Sequence, residues 1–587
     1  MVAADWIHVG RLEQLQAEGV KVVKGGIAVF AHEDGAAAVD NLCPHLGFPL
    51  HLGSLCNGIL TCHWHHARFD LCSGGTLDPW ADDALAHEVR IEQGEVWVHA
   101  APKRVMNRDE LRQRLQEGLE QNIGIVIAKA VVGLIEAGVS EDEIVRIGID
   151  FGTAQRGGWG SGLTILAAMR NVLPKLDKNG RILALFHGLS HVARSGAGSA
   201  PRRLLQPLPS TELPIERLAG WYRECIEVRD TQGAEKVLLT ALAGGSSPEL
   251  LADMMLVAVT DHFYLDGGHT FDFHNKAFEM LAVCGPDMAT KILASLTPMM
   301  SNPSRGEEQH HWQAPVDLVT PLKEIFERMQ ACGPAANRSA EPGKIVFEDE
   351  AFVEQLLSDQ PLTTLGRMEE ALQNGVPAAH IARLIALAAA ERIVRFHTQN
   401  DFRDWIAVLH TFTYAHAVHE RMIRSAEPLL NRALFFGAIA LYHDRFLNVP
   451  RAPKPKADVY RSEIADASTD QLLSLLDRRQ QVEEAAGWVS AYLEADRDPA
   501  ALIQALGHSL LREDAEFHSF QLFEAAVTEF DHWRNMPGDF ASRAGEVMLI
   551  ACARYLAAHA PTARELPRTA HIAWRLHRGE KLFESES

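Results

Sequence analysis

The stretch that most restricts what this chain can become is Cys43-Pro44-His45-Leu46-Gly47 followed by Cys62-His63-Trp64-His65-His66. As a pattern it is C-x-H-x16-C-x2-H. Two short loops each offer one thiolate and one imidazole. Zinc sites made from these residue types usually pair like with like, as C-x2-4-C and H-x3-5-H, so the mixed pairs Cys43/His45 and Cys62/His65 suit zinc poorly. They suit a two-iron cluster in which cysteines hold one iron and histidines the other. Pro44 and Gly47 favour a tight loop, because proline fixes φ and glycine accepts positive φ.

The flanking residues carry a resemblance. Arg68-Phe69-Asp70-Leu71 and the glycines Gly74 and Gly75 follow the second loop, and the whole stretch resembles the Rieske ferredoxin family. The resemblance implies a [2Fe–2S] cluster held by Cys43, His45, Cys62 and His65. High-potential Rieske proteins commonly carry one more cysteine in each loop, joined as a disulfide. Here Phe48 follows Gly47, and His63 and Trp64 separate the second-loop ligands. The resemblance is therefore to the ferredoxin and oxygenase branch, with a potential toward the lower end of roughly −150 to +300 mV. Cys56 and Cys72 are then expected to be small packed residues, and His63 and His66 to pack within the loop. Cys62 is followed by His63 where the family often has proline, a change that removes no ligand.

At 587 residues the chain has the length of about four domains. With 47% hydrophobic and 23% charged residues it has a globular composition and enough apolar mass for a sizeable core. A net charge of −21 argues against nucleic-acid binding, which needs basic clusters, and favours solubility. Eight cysteines make no disulfide framework in so long a chain, so a cytoplasmic location is expected. The start, Met1-Val2-Ala3-Ala4-Asp5-Trp6, lacks the basic and apolar regions of a signal peptide. No apolar run approaches the roughly 18 residues of a membrane span, so no membrane partner is expected.

From about Asp5 to Ala101 the pattern predicts short strands. Val20 to Phe30 alternates around Gly25-Gly26, and Glu88–Glu92 and Val96–Val98 flank the hairpin signal Gln93-Gly94. Beyond about Asn107 apolar residues recur at three- and four-residue spacing, which predicts helix after helix. Helix starts recur at Ser140-Glu141, Ser247-Pro248-Glu249, Val376-Pro377-Ala378 and Asp498-Pro499-Ala500. Three copies then carry His269-Thr270, His397-Thr398 and His518-Ser519. Further helices are expected at 182–194, 291–300, 431–447 and 547–560, with spacers at 194–214, 332–344 and 450–458. The repeat is longer than the 20 to 50 or so residues of helical solenoids, which suggests duplicated bundles around a common centre.

Histidines cluster in this helical part. His187 and His191 are i,i+4 on one helix face. Asp266-Gly267-Gly268-His269-Thr270-Phe271-Asp272-Phe273-His274 reads D-x2-H-x4-H. His397 and His410 bracket Asp401 and Asp404; His416 and His419 follow, and the last copy has Glu513, Asp514, Glu516, His518 and Glu524. A single histidine is usually an ordinary core or surface residue. Several at matched points of repeats, on apolar helices, would be costly to bury without partners. Neutral imidazole is a common metal ligand and helical bundles build metal sites from facing helices. The candidates for a non-haem Fe(II) site are His187, His269, His274, His397, His410 and His518. The Gly267-Gly268 pair is expected to turn the backbone sharply, with His269 before a helix and His274 on its first turn.

Two resemblances bear on that site. The D-x2-H-x4-H run resembles the mononuclear iron motif of Rieske non-haem iron oxygenases, whose catalytic domain is built on an antiparallel sheet, whereas this region reads as helical. Leu185-Phe186-His187-Gly188-Leu189-Ser190-His191 and Trp405–Thr413 resemble the questin-oxidase-like family of helical proteins that oxidise or cleave polycyclic aromatic polyketides. That resemblance implies a histidine-rich iron site, in one case completed by a carboxylated lysine, for which Lys276 is the possible counterpart here. Gly157-Gly158-Trp159-Gly160-Ser161-Gly162 follows a helical stretch, not a strand, so the dinucleotide fingerprint fails on context. Electrons are expected from another protein.

The resulting expectation is a multidomain chain: a small all-β Rieske [2Fe–2S] domain at residues 1–104, then a large all-α, histidine-rich domain of duplicated helical bundles at 105–587. Its expected function is that of a Rieske cluster-dependent non-haem iron oxygenase. It would oxidise or cleave an organic substrate, aromatic or polyketide-like, with O2 and electrons delivered through the cluster. The expected donor is an NAD(P)H-dependent flavin reductase. The alternative is a non-enzymatic electron carrier or redox sensor on a helical interaction scaffold.

Overall fold

A computed structural model describes residues 5–210, 212–332, 347–464, 468–580 and 582. The expected spacer at 332–344 lies outside the described residues from 333 onward.

Nine strands form the N-terminal domain: β1 (Trp6–Arg11), β2 (Val20–Val23), β3 (Ile27–His32), β4 (Gly35–Asp40), β5 (Ser54–Cys56), β6 (Ile59–Thr61), β7 (Arg68–Asp70), β8 (Ala86–Glu92) and β9 (Glu95–Pro102). Six make an antiparallel sheet in the order β1-β9-β8-β4-β3-β2; β5, β6 and β7 make a second, smaller one. The expected hairpins form where their turns predicted. Val23 pairs with Ile27 across Gly25-Gly26, and Glu92 pairs with Glu95 across Gln93-Gly94.

Alternation splits the core into two layers. Ile27 and Val29 join Val9, Leu15, Val96 and Val98 on one side of the large sheet. Ala28, Phe30 and Val39 face the other way, against Leu60 and Phe69 of the small sheet. Cys43 and Cys62 belong to this second layer. The ligand loops are thus rooted in packed core.

Beyond β9 the described residues hold twenty-three α-helices, and no helix among them is long and apolar enough to cross a membrane. The Arg108–Gln121 helix starts with a capping box, Asn107 accepting from the Glu110 backbone and Glu110 from that of Asn107. The Phe402–Arg424 helix starts the same way with Asp401 and Asp404. The four helices expected from apolar spacing appear as Lys178–Gly196, Ala289–Ser301, Arg432–Asp444 and Asp539–His559.

The chain divides into two compact units, one of residues 1–147 with 565–587 and one of 148–564. The division does not follow the change from strand to helix near residue 104. The Arg108–Gln121, Gly124–Glu136 and Glu565–His577 helices group with the β domain.

Candidate functional site

In the β unit the two ligand loops share one construction. Gly47 donates its N–H to the Cys43 carbonyl at 2.7 Å and Cys43 donates to the Phe48 carbonyl at 2.8 Å. In the second loop His66 donates to the Cys62 carbonyl at 3.0 Å and Cys62 to the Ala67 carbonyl at 2.9 Å. The fourth residue after each cysteine is left-handed, Gly47 at φ +78° and His66 at φ +63°. His66 is therefore more than loop packing: it turns the chain at a position where glycine is the easier residue.

This geometry fits a cluster. Both cysteines are buried and in no disulfide, while the rings of His45 and His65 lie 4.9 Å apart, edge to face. His45 Nδ1 is buried without a hydrogen-bond partner, which is costly for an imidazole nitrogen unless it binds something. Burial, reinforced by the charges of His65 and Lys129, lowers the His45 pKa to about 4, so the ring is neutral and its lone pair is free to ligate. The two sulfurs also interact. The hydrogen bond between them holds the Cys62 thiol down, to about 6, and pushes the Cys43 thiol up. A [2Fe–2S] cluster here would be held by Cys43, His45, Cys62 and His65. His65 and Trp64 are exposed, whereas Trp80 packs against the His45 ring at 4.7 Å.

In the helical unit His269, His410 and His518 converge, each offering one ring nitrogen, all within 4.8 Å of one another. His410 Nε2 and His518 Nε2 are 2.8 Å apart. Nitrogens bound at about 2.1 Å to a shared ion in octahedral geometry stand about 3 Å apart. His269 is the first residue of the His269–Cys284 helix, His410 lies inside the Phe402–Arg424 helix, and His518 is the second residue of the Phe517–Arg534 helix. Carboxylates orient two of the three rings: His269 Nδ1 meets Asp272 at 3.1 Å and His518 Nδ1 meets Glu516 at 2.7 Å. A carboxylate on one nitrogen fixes the tautomer and leaves the other free for a metal.

Neighbouring rings and carboxylates shift the charge of the groups here. Burial, then the charges of His269 and His518, lowers the His410 pKa to about 2. For His269 burial pulls the same way, but the Asp272 charge and hydrogen bond outweigh it and raise the value. Glu516 would be raised by burial, yet the His518 hydrogen bond and charge bring it to about 2. The backbone before His269 is left-handed at Tyr264, Asp266, Gly267 and Gly268. A Cβ on Gly267 would sit 3.4 Å from His410 Nδ1, and one on Gly268 3.0 Å from Tyr414. The expected sharp turn is present, and it lets this segment approach the Phe402–Arg424 helix closely.

The remaining candidates lie elsewhere among the described residues. His187 is buried, and its Nε2 meets the Leu511 carbonyl at 2.9 Å. His274 packs its ring 4.4 Å from Phe278 with neither nitrogen hydrogen-bonded. On a helix beginning at His269 a residue five positions on points away from it, about 140° around the axis. His397 sits in the turn before the Phe402–Arg424 helix, its Nδ1 accepting from the Gln399 backbone. The repeat register is thereby corrected: His410, not His397, stands with His269 and His518. The signal was one residue longer than the His-Thr pair. His269-Thr270-Phe271, His410-Thr411-Phe412 and His518-Ser519-Phe520 share it, whereas His397-Thr398 runs into Gln399.

Lys276 is buried between Glu279, at 3.0 Å, and Glu524, at 2.6 Å. Burial disfavours its charge, but the two carboxylates outweigh that and raise its pKa. The pair favours an ammonium over the neutral amine that carboxylation requires. On the Glu516 side of His518 lies a cavity of about 200 Å³, lined in part by Phe402, Glu513, Asp514, Glu516, Leu556 and His559 and not by the three histidines themselves.

Comparison with known proteins bears on the N-terminal part. A family model for the Rieske [2Fe-2S] domain matches residues 5–85. Apoptosis-inducing factor 3 of Homo sapiens is 34% identical over 101 residues, 17% of this chain and only 17% of that protein's length. The ferredoxin component of the naphthalene 1,2-dioxygenase/salicylate 5-hydroxylase systems of Ralstonia sp is 33% identical over 98 residues, 16% of this chain and 94% of that protein. Among solved structures, the ferredoxin of carbazole 1,9a-dioxygenase from Nocardioides aromaticivorans is 26% identical, covering 17% of this chain and 100% of that one with a TM-score of 0.16. Through its N-terminal domain, with residues 5–85 matching the family model, this chain belongs to the Rieske [2Fe–2S] family and is homologous there to ferredoxin components of oxygenase systems.

Proposed function

We propose that the chain is a Rieske cluster-dependent non-haem iron oxygenase whose second metal site is His269, His410 and His518. The observation that carries this reading is the convergence of three ring nitrogens, with Asp272 and Glu516 on the far side of two of the rings. Three nitrogen ligands leave coordination positions open, and iron held there would supply O2 chemistry with electrons arriving through the cluster. The chain's own part is to hold the His410 imidazole neutral, to aim the His269 and His518 rings through Asp272 and Glu516, and to shield the site among Phe273, Phe517 and the helices around it.

Residues 105–587 are accordingly proposed as the catalytic part, and an NAD(P)H-dependent flavin reductase as the electron donor. A carrier or redox-sensor role is the second reading, favoured by the restriction of the observed similarity to about a sixth of the chain. Iron content separates the two. Oxygenase function requires more than two iron atoms per chain in the wild type and two in His410→Ala, with the Rieske spin resonance unchanged. Two atoms in both proteins, with no O2 consumption on adding a reductase and aromatic substrates, would leave the carrier.

A further inference from the structure

We propose that Lys129, on the Gly124–Glu136 helix, is a positioning residue for the iron–sulfur site that fixes the first ligand loop and sets the cluster's reduction potential. Its Nζ donates to the Pro44 carbonyl at 2.7 Å, on the residue between the ligands Cys43 and His45. The same ammonium pairs with Asp82, and the two side chains are only 13% and 9% exposed. Arg114 holds Asp82 from the other side at 2.7 Å. It also donates to the Pro79 and Ala81 carbonyls at 2.8 and 2.9 Å. These carbonyls flank Trp80, the residue packed edge-to-face against the His45 ring. One buried ion network thus grips both the loop that carries Cys43 and His45 and the segment that walls His45.

The two cations of the network, Arg114 and Lys129, sit on helices that a ferredoxin of this family does without. The Ralstonia ferredoxin is 94% covered by a 98-residue match, which leaves almost nothing to correspond to them. A further segment outside that match, the Glu565–His577 helix and Leu582 after it, closes over the first loop: a Cβ on Gly47 would meet Leu576 and Leu582 at 2.9 Å.

The charge has a definite sign. One electron arriving from an external reductant adds one negative charge at the cluster, with no bond made or broken. A buried ammonium touching the ligand loop favours that extra charge more strongly than a solvated one, because the local dielectric is low. Asp82 opposes it from one side chain further away, and Arg114 is shared between Asp82 and Glu117. Lys129 therefore raises the potential, and Asp82 lowers it.

This inference rests on the cluster and is independent of the histidine centre. The test is a dithionite titration of the full-length cluster-loaded protein, followed by visible circular dichroism and electron-spin resonance. Lys129→Met should shift the midpoint to lower potential, Lys129→Arg should retain it, and Asp82→Asn should shift it upward. The nitrogen-ligated resonance should persist throughout. If Lys129→Met fails to load the cluster, the sign of the Asp82→Asn shift decides. An unchanged midpoint in loaded Lys129→Met, or a downward shift in Asp82→Asn, overturns the proposal.

Discussion

In the β unit four candidate ligands fall between residues 43 and 65, on two loops closed by the same pair of backbone hydrogen bonds. In the helical unit three candidate ligands stand at 269, 410 and 518, on three helices from widely separated parts of the chain. The first arrangement is local. Each loop presets its own cysteine and histidine, and the sheets need only bring two loops together. The second is global, because no helix alone brings any two of its ligands together. A local site therefore stands or falls with single loop residues, while a distributed site depends on the packing and charges of the whole bundle. The groups behind the ligands show the same contrast: backbone N–H groups and one lysine on the cluster loops, the carboxylates of Asp272 and Glu516 on the distant histidines.

The largest effect expected from this contrast is at the cluster. Cys62→Ser should abolish the [2Fe–2S] chromophore entirely while the iron proposed at the histidine centre is retained. Loss of both metals together, measured by iron content and spin resonance, would break the idea of two separately built sites.

Acid should act next most strongly, and on the helical unit. Burial lowers the His187 pKa from 6.5 to about 4. Glu529 would be raised by burial, but the His419 charge and the hydrogen bonds from His416 and His419 lower it from 4.5 to about 2. Both folded values lie below the unfolded ones. The stability tied to them is complete above pH 6.5; the His187 part is lost as pH falls from 6.5 toward 4, and the Glu529 part from 4.5 toward 2. The sum is on the order of several kcal/mol. Urea unfolding followed by helical circular dichroism should show the midpoint dropping across that window. Glu529→Gln, which removes the titrating carboxyl, should flatten the lower half of the curve.

The two left-handed loop residues offer a sharper comparison. Gly47→Ala meets both the φ penalty and the leucine side chains above it, and should cost about 2 to 4 kcal/mol in thermal or urea unfolding. His66→Gly relieves the same strain in the other loop and should leave stability within about 1 kcal/mol of wild type, with the cluster spectrum intact. Equal losses in both would show that the loops are not equivalent turns.

The smallest effect is expected at a carboxylate that touches a ligand from behind. Glu516→Gln keeps a hydrogen-bond acceptor for His518 but removes the charge, and should weaken iron binding at the histidine centre by about 10- to 100-fold. Chelator competition measures this directly. An unchanged affinity would mean that packing alone aims His518.

Residue order was enough for the cluster domain. The spacing Cys43, His45, Cys62, His65 marked a candidate ligand set, and Gly25-Gly26 and Gln93-Gly94 located two hairpins, because strand alternation and short turns are written in neighbouring residues. Helical periodicity marked the rest as α-helical. The sequence also marked His269, His410 and His518 as candidates, but with His187, His274 and His397 beside them. The His-Thr/Ser-Phe run marks the first group, but it is packing that brings its members together, since a helical residue's partner is set by which face its helix turns to distant neighbours. The same holds for Lys129, unremarkable in an apolar helix until folding seats its ammonium on the Pro44 carbonyl. Short-range chemistry can be read along the chain; contacts between residues separated by eighty positions or more exist only once the tertiary structure has chosen them.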